Sequence, residues 1–264
     1  MRRIILVLLV SGLMIFGCTK KAENEIKEGK VEIKMYLLQQ VPFSANLAEL
    51  EKLGNVNFNK VLDNYVQYDP NTLDKIAFKL GSDIADALVC LKAKNKTKLT
   101  EITKNLPNYG EALGISKQFI MLSVSLKPLI DKENWQQIEQ KLEEYQKKIV
   151  DELYNMKSFD HVVLVQFGGW IKGLEDVSFV LSNEKYDKEA TKVLHNKTMI
   201  VALDHDINNL SDENILAQTY LKTSISNIKN IKEMIFSSED GYFDKGQVEK
   251  INVLSKEITD GFSK

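Results

Sequence analysis

The amino-acid sequence predicts an all-α fold: a single domain of about seven to nine antiparallel helices, packed as a bundle or a curved array around one central apolar helix. Residues 160–181 predict that central helix, because they are apolar on nearly every side and such a helix has to be surrounded by protein. Most other segments repeat apolar residues at three- and four-residue spacing, which is typical of amphipathic helices. The 264 residues include only 4 prolines and 13 glycines, and this composition suits long helices.

The first 18 residues resemble the signal peptide of a bacterial lipoprotein. Arg2 and Arg3 precede an apolar run at residues 4–16, which is shorter than the roughly 20 residues that cross a bilayer. The sequence IFGC at residues 15–18 resembles a lipobox, in which a peptidase cuts before a cysteine that carries a diacylglyceryl group. The resemblance implies that residues 1–17 are removed and that acyl chains on Cys18 hold the protein on a membrane.

This signal predicts a lipid-anchored protein of the cell envelope. Thr19 resembles the outer-membrane sorting pattern of bacteria with two membranes, where the protein is then expected to face the periplasm. The alternative is an uncleaved membrane anchor with an incidental Cys18. Residues 18–45 are expected to form the lipidated cysteine and a flexible tether, because a charged segment with so few apolar residues cannot offset its ordering entropy. The helical domain is predicted to cover residues 46–264.

Apolar periodicity predicts several helices before the central one. Pro107 is expected to bend or split one of them, and Gly114 is expected to end it. Asp131 or Asn134 is expected to cap the last of them. The predicted segments are residues 43–68 (one or two short helices), 72–94, 96–113, 116–130 and a helix that runs to about residue 156.

The central helix follows Ser158, which is expected to cap it. Gly169 and Gly173 each cost about 1 kcal/mol relative to alanine inside a helix, so the backbone of another helix is expected to approach there. Gly81 makes the helix at residues 72–94 the expected partner. Further helices are predicted at residues 186–208, at 212–236 behind Ser211 or Asp212, and along the apolar residues from 248 to 262.

Two stretches resemble the paired signatures of a family of all-helical bacterial lipoproteins with no assigned activity. The first is KLGSDIADALVCLKAKNKTKL at residues 79–99, which contains Asp83 and Asp86. The second is VQFGGWIKGLEDV at residues 165–177, with its Gly-Gly-Trp motif ending at Trp170. The resemblance covers roughly residues 70–182. It implies an all-α lipoprotein and supplies no catalytic residue.

The composition and motifs exclude several classes of function. Lys and Arg total 35 against 37 Asp and Glu, which is not basic enough to indicate a nucleic-acid partner. His195 and His205 share one predicted helix and lie about 15 Å apart by helical rise, so they cannot share a metal ion. The acidic run from Asp204 to Asp212 lacks the glycine and final glutamate of a calcium loop. No metal or cofactor is therefore expected.

Polar side chains on the two most apolar helices are the candidate site. Buried carboxylates are costly unless they are paired or hydrogen-bonded, so they are expected to bond to one another, to a lysine such as Lys79 or Lys172, or to neighbouring backbone. The functional interpretation is a small cleft in which these groups meet a ligand beside the tryptophan. The candidate ligand-binding residues are Asp83, Asp86, Gln166, Trp170 and Asp176.

These observations favour a non-enzymatic binding or interaction module, whose partner is an envelope protein or a small molecule. The second hypothesis is an enzyme with an acid/base site formed by Asp83, Asp86, Asp176 or Glu175, which requires converging carboxylates of raised pKa in a cleft. The third is a structural lipoprotein that packs against other envelope components. Cys90 is expected to be a small buried or half-buried apolar side chain.

Overall fold

The computed structural model describes residues 43–51, 56–117, 121, 124–184 and 186–264, and the regular secondary structure of these residues is entirely helical. The prediction of an all-α fold is confirmed. The predicted signal peptide, Cys18 and most of the tether lie outside the described residues. Phe43 is buried against Trp170, so the packed domain includes residues before its predicted start at residue 46.

The helices are numbered in chain order within the described residues. They are α1 (Ser44–Glu51), α2 (Phe58–Leu62), α3 (Leu73–Ala93), α4 (Lys96–Thr103), α5 (Leu106–Ala112), α6 (Leu126–Asp131), α7 (Trp135–Asn155), α8 (Phe159–Phe179), α9 (Lys197–Asn208), α10 (Glu213–Leu216), α11 (Thr219–Ser237) and α12 (Lys245–Ser263). A π-helical turn (Val180–Glu184) continues α8, and a 3-10 helix (Glu189–Leu194) precedes α9.

Helix α8 is the centre of the domain, as predicted. Only four of its side chains are partly exposed, and the rest are buried: the four are Phe159, His161, Leu174 and Phe179. Its most extensive contact among the described helices is with α3, followed by α12. None of the helices in the described part of the chain has the length and apolar character needed to cross a membrane.

Helices α3 and α8 touch backbone to backbone through two glycines. A Cβ atom on Gly81 would lie 1.9 Å from the carbonyl oxygen of Val165, and a Cβ atom on Gly168 would lie 2.1 Å from that of Phe78. Atoms cannot approach this closely, so only glycine fits at either position. The predicted partnership of α3 with the central helix is confirmed.

The glycine of α8 that meets the α3 backbone differs from the prediction. Gly169 was expected to face another helix backbone, but a Cβ atom there would meet the ring of Phe43 at 2.1 Å. Gly168 takes that place, and it lies 100° around the helix from its neighbour. The backbone of α3 does approach Gly169, because a Cβ atom on Gly81 would lie 2.9 Å from its backbone nitrogen, but the missing side chain of Gly169 makes room for Phe43 and that of Gly168 makes room for α3.

The central pair of helices also runs in an unexpected direction. Gly81 lies beside Gly169, and farther along both helices Asp86 lies beside Lys172. The order of these contacts shows that α3 and α8 are parallel, although antiparallel neighbours were predicted. Helices α11 and α12, which follow each other directly in the chain, are antiparallel, because Tyr220 lies beside Gly261 and Asn227 bonds to Leu254. The segment between α3 and α8 brings the chain back to the end of the helix pair where α3 begins. Apolar periodicity alone cannot indicate this return.

Three local signals act as expected. Pro107 lies in the first turn of α5 and separates it from α4, because its ring removes a backbone donor. Gly114 follows α5 with φ +77°, and its N–H donates to the carbonyl oxygen of Glu111 at 3.0 Å. Asn134, rather than Asp131, caps α7 by accepting from the N–H of Gln137.

Two predicted helices are each split in the structure. The segment 186–208 breaks before Asn196, whose side chain caps α9 by accepting from the N–H of Met199 at 2.9 Å. His195 therefore lies outside α9, and its Nε2 bonds to the carbonyl oxygen of Ser238 at 3.0 Å. The segment 212–236 breaks between α10 and α11, with Asp212 capping α10. A polar residue that can cap a new helix competes with continuing the old one.

The last helix closes the domain over α3. The ring of Phe262 stacks on that of Phe78 with their centroids 3.8 Å apart and an angle of 4° between them. Both rings are almost fully buried. Asp244 begins this helix in a capping box with Gln247.

Asp160 is expected to be one of the most important polar residues for stability. Its carboxylate accepts hydrogen bonds from the backbone N–H groups of Ser211 at 3.0 Å and Asp212 at 2.7 Å, and from the Ser211 hydroxyl. Asp160→Ala should lower the free energy of unfolding by about 2–3 kcal/mol, because charge-assisted bonds are lost and their donors are left unpaired. Urea denaturation measures this change. The control is Asp151→Ala, which removes one exposed ion pair and should change stability by less than about 0.5 kcal/mol; equal losses would contradict the prediction.

Candidate functional site

Charged side chains are buried where α3 packs against α8. Helical spacing brings them together, because residues three or four apart share one face of a helix. They are Lys79, Asp83 and Asp86 on α3, and Lys172, Glu175 and Asp176 on α8. The expectation that the carboxylates pair with the two lysines agrees with this arrangement.

Lys79 forms the first ion pair. Its Nζ atom lies 2.6 Å from Oδ1 of Asp83 and donates to the carbonyl oxygen of Val66 at 3.2 Å. The rings of Tyr65 and Tyr68 cover the same ammonium group, with centroids at 4.5 and 4.8 Å. The positive charge is thus held by a carboxylate, a carbonyl group and two aromatic faces.

Lys172 lies among three carboxylates. Its Nζ atom is 2.9 Å from Asp176, 3.2 Å from Glu175 and 3.7 Å from Oδ1 of Asp86. The other carboxylate oxygen of Glu175 accepts a hydrogen bond from Thr259 on α12 at 2.7 Å. The contact with Asp86 is too long for a hydrogen bond. Lys172 therefore satisfies two of the three carboxylates directly.

The cluster contains four carboxylates and two ammonium groups, and burial shifts the pKa values of its three aspartates. Burial raises the pKa of Asp83 to about 7, against the opposing effect of Lys79. Burial also raises the pKa of Asp86 and of Asp176 above the usual aspartate value. Burial alone would lower the pKa of Lys172, but the surrounding carboxylates raise it well above the usual lysine value. The lysine stays charged, and the aspartates bind protons more tightly than in water.

A polar cleft opens on one side of this cluster. Its enclosed volume is about 30 Å³, and its rim lies between the loop after α2 and helix α12. Asp86 is part of the wall, and its Oδ1 atom has no hydrogen-bond partner among the described residues. The lining residues are Asn64, Val66, Tyr68, Phe78, Lys79, Ser82, Asp86, Lys172, Glu175, Lys256, Thr259, Asp260 and Ser263.

Trp170 lines a different cavity, so the predicted single cleft beside the tryptophan is wrong. This second cavity is also about 30 Å³ but is almost entirely apolar. The buried indole Nε1 atom of Trp170 has no hydrogen-bond partner among the described residues. The lining residues are Trp170, Leu174, Val177, Val193, Leu194, Asn196, Met199, Ile200, Leu203 and Ile235.

Gln166 lies apart from the carboxylates as well. Its Oε1 atom accepts a hydrogen bond from Gln146 on α7 at 3.2 Å, and Oε1 of Gln146 accepts from the N–H of Phe43. These bonds connect α7, α8 and the start of the described chain. Of the five predicted residues, Asp86 alone lines the polar cleft, while Asp83 and Asp176 lie behind its wall.

Sequence reasoning missed the wall of the cleft that α12 forms. Lys256, Thr259 and Asp260 were not candidates, because their helix follows α8 by more than sixty residues and shows only ordinary amphipathic periodicity. Only the packing of α12 on α8 brings Thr259 to Glu175. Glu175 itself was named only for the enzyme hypothesis.

Within residues 43–51, 56–117, 121, 124–184 and 186–264, no three His, Cys, Asp or Glu side chains are arranged to hold a metal ion. Cys90 is fully buried, as predicted, and burial raises the pKa of its thiol. Comparison of the chain with protein-family models, with curated proteins and with solved structures found no match. Function therefore has to be inferred from the site itself.

The buried aspartates predict that stability falls as pH rises. Their pKa values in the folded protein exceed those of the unfolded chain, so between about pH 4 and pH 7 the folded state binds more protons. The stabilisation is complete below the unfolded pKa and is lost as pH rises through the folded pKa. Urea denaturation should give a free energy of unfolding that is on the order of 2 kcal/mol lower at pH 8 than at pH 5 from Asp83 alone.

Asp83→Asn is the matched test of this pH dependence, because it keeps the shape and removes the titration. The variant should show a shallower decline between pH 5 and pH 8 than the unmodified protein. A stability that stayed constant or increased over this range would contradict the raised pKa values.

Proposed function

We propose that the protein is a lipid-anchored helical protein of the bacterial cell envelope that acts by binding a small polar molecule in the polar cleft. The observation that carries the proposal is Asp86, a buried carboxylate in the wall of an open cleft, whose Oδ1 atom lies 3.7 Å from Nζ of Lys172 and accepts no hydrogen bond from the described residues. Unsatisfied buried polar atoms are rare in folded proteins and are expected where a ligand completes the bonding.

The sequence supports the lipid anchor. The basic pair at Arg2 and Arg3, the short apolar run and the lipobox-like IFGC ending at Cys18 resemble a lipoprotein signal. Cells that express the full chain should incorporate an alkyne analogue of palmitate into the protein. Cys18→Ala should abolish the labelling, and Cys90→Ala, which changes a buried thiol, should retain it. Labelling that persisted in Cys18→Ala would overturn the anchor.

A thermal-shift screen tests the cleft as a binding site. The panel contains small amines, amino acids, carboxylic acids and sugars, and a ligand of the cleft should raise Tm in a saturable manner. Ser263→Trp places a large side chain at the cleft and should remove this effect. Ser237→Trp, at the exposed end of α11, is the matched control and should keep it. The proposal would be overturned if no compound of the panel raised Tm. It would also be overturned if the compounds raised Tm equally in Ser263→Trp and in the unmodified protein.

An enzyme with a carboxylate acid/base site is the second candidate. One observation favours it, because the cleft contains Asp86, whose pKa is raised by burial, beside Glu175. Turnover of a bound molecule that is lost in Asp86→Asn, while binding is kept, would support this candidate. A purely structural role instead predicts that no cleft variant changes any interaction in the envelope.

A further inference from the structure

We infer that the polar cleft binds a primary alkylammonium group, which places its positive charge against Asp86 and its carbon atoms against the apolar part of the wall. This inference rests on the proposed function and names the chemical class of its ligand. The ligand is a small amine, or the amino end of a larger molecule whose remainder lies in solvent.

The sign of the ligand's charge follows from the charged side chains around the cleft. Asp83, Asp86, Glu175 and Asp176 face only Lys79 and Lys172 in the buried cluster, so two negative charges lack a partner when all the groups are ionised. Lys256 and Asp260 at the rim pair with each other at 3.0 Å and leave this balance unchanged. A buried negative charge is strongly unfavourable without a counter-charge. The cluster is therefore complementary to a cation.

The position of the ligand follows from Asp86. Its Oδ1 atom lies 3.7 Å from Nζ of Lys172, and the described residues offer it no hydrogen bond. Asp83 and Asp176 also have one unpartnered oxygen each, but they do not line the cleft. Asp86 is thus the aspartate whose side chain borders the cleft, with 4% of it exposed, and an entering ammonium group has three N–H donors to offer its carboxylate.

The wall favours an organic cation over a bare metal ion. Val66, Tyr68 and Phe78 line the cleft beside the carboxylates, so part of the surface is apolar or aromatic. An alkyl chain gains by contact with such a surface, and an ammonium group is attracted to an aromatic face. Lys79 already uses the Tyr68 ring in this way. The enclosed volume of about 30 Å³ limits the buried part of the ligand to a few heavy atoms.

Isothermal titration calorimetry with ethylammonium chloride tests the inference on the purified full chain at pH 8 and constant ionic strength. Ethanol and propionate are the matched probes, because they have similar size and are neutral or negative. Ethylammonium should bind saturably, and the other two should not. Asp86→Asn should weaken ethylammonium binding at least tenfold. Asp151→Asn is the control, because it changes an exposed carboxylate on α7 that pairs with Lys147 outside the cleft, and it should change ethylammonium binding less than threefold.

The outcomes separate the inference from the proposed function. If propionate bound more tightly than ethylammonium and Ser263→Trp abolished its binding, the inference of a cationic ligand would be overturned. The proposed function of the cleft as a binding site would remain. If ethylammonium bound equally well to Asp86→Asn and to the unmodified protein, the position assigned to the ammonium group beside Asp86 would be overturned. Absence of ethylammonium binding would show that protons alone balance the cluster and would also overturn the inference. The comparison of ethylammonium with ethanol and propionate uses only the unmodified protein. It therefore tests the charge of the ligand even if Asp86→Asn does not fold.

Soluble amines and the headgroup of phosphatidylethanolamine share this chemistry. Free ethanolamine that competes with ethylammonium would support a soluble ligand. Vesicles that compete only when they contain phosphatidylethanolamine would support a lipid headgroup. If ethylammonium binds but neither ethanolamine nor phosphatidylethanolamine vesicles compete with it, the assignment of these two ligands to the cleft is overturned.

Discussion

Gly81→Ala is expected to unfold the protein or to lower its free energy of unfolding by more than about 4 kcal/mol, a loss that single substitutions rarely reach. The new Cβ atom would lie 1.9 Å from the carbonyl oxygen of Val165 and 2.9 Å from the backbone nitrogen of Gly169. Both atoms belong to the backbone of α8, so no side chain can rotate away. Relief requires α3 and α8 to separate, and this would loosen the most extensive contact among the described helices.

Far-UV circular dichroism and urea denaturation measure this effect. Gly246→Ala is the matched control, because Gly246 lies in the exposed first turn of α12, where an added Cβ atom would approach only the side chain of Asp244, at 3.3 Å. Alanine is favoured over glycine in a helix, so the control should change stability by less than about 1 kcal/mol. A loss of less than 1 kcal/mol in Gly81→Ala would show that the two backbones are farther apart. Gly168→Ala should resemble Gly81→Ala.

Lys172→Met is expected to lower the free energy of unfolding by about 3–5 kcal/mol at pH 8. The substitution keeps the length and apolar stem of the side chain and removes the charge that lies between Asp176 and Glu175. Three buried carboxylates then lose their ammonium partner, and Lys79, the other buried lysine of the cluster, already pairs with Asp83. The loss should shrink at pH 5, because the pKa of Asp176 is raised and protonation removes the unpaired charge.

Urea denaturation of Lys172→Met at both pH values tests this prediction. Lys147→Met is the control, because Lys147 is 74% exposed and pairs only with the exposed Asp151. Ion pairs at the surface contribute little, so the control should change stability by less than about 0.5 kcal/mol at either pH. Similar losses in the two variants, or a loss at pH 5 as large as at pH 8, would contradict the role assigned to Lys172.

Much of the fold is predictable because local signals and burial agree. The apolar surface of α8 shows that this helix is enclosed, and Gly81 identifies α3 as its partner. Pro107, Gly114 and Asn134 mark helix ends through backbone geometry and capping, which depend only on nearby residues. These features need no knowledge of how distant parts of the chain pack.

Two features that escaped prediction depend wholly or partly on contacts between distant residues. The parallel direction of α3 and α8 depends on the path of the whole segment between them. The break before Asn196 depends on its capping bond and on the bond that holds His195 to Ser238. For the helix direction and for the helix break alike, apolar periodicity shows which face of a helix is buried. It does not show where the helix ends or in which direction the chain continues.

The candidate site was predicted in part for the same reason. A helical projection places Asp86 and Trp170 on inward faces, but it does not show which neighbour covers each face. The structure covers Trp170 with α9 and the 3-10 helix, whereas α12 covers the carboxylates. The two halves of the predicted cleft thus became two cavities. Lys172 was identified correctly as a partner, because its spacing from Asp176 is local.

The stacking of Phe262 on Phe78 has a consequence for biosynthesis. Phe78 belongs to α3 and Phe262 to α12, and 184 positions separate them in the chain. While α12 is still unsynthesised, α3 and α8 lack the helix that packs over their aromatic side chains. This aromatic surface therefore stays open until α12 has been made, and contacts between such distant segments form slowly. Any holding chaperone has to act until α12 has left the ribosome.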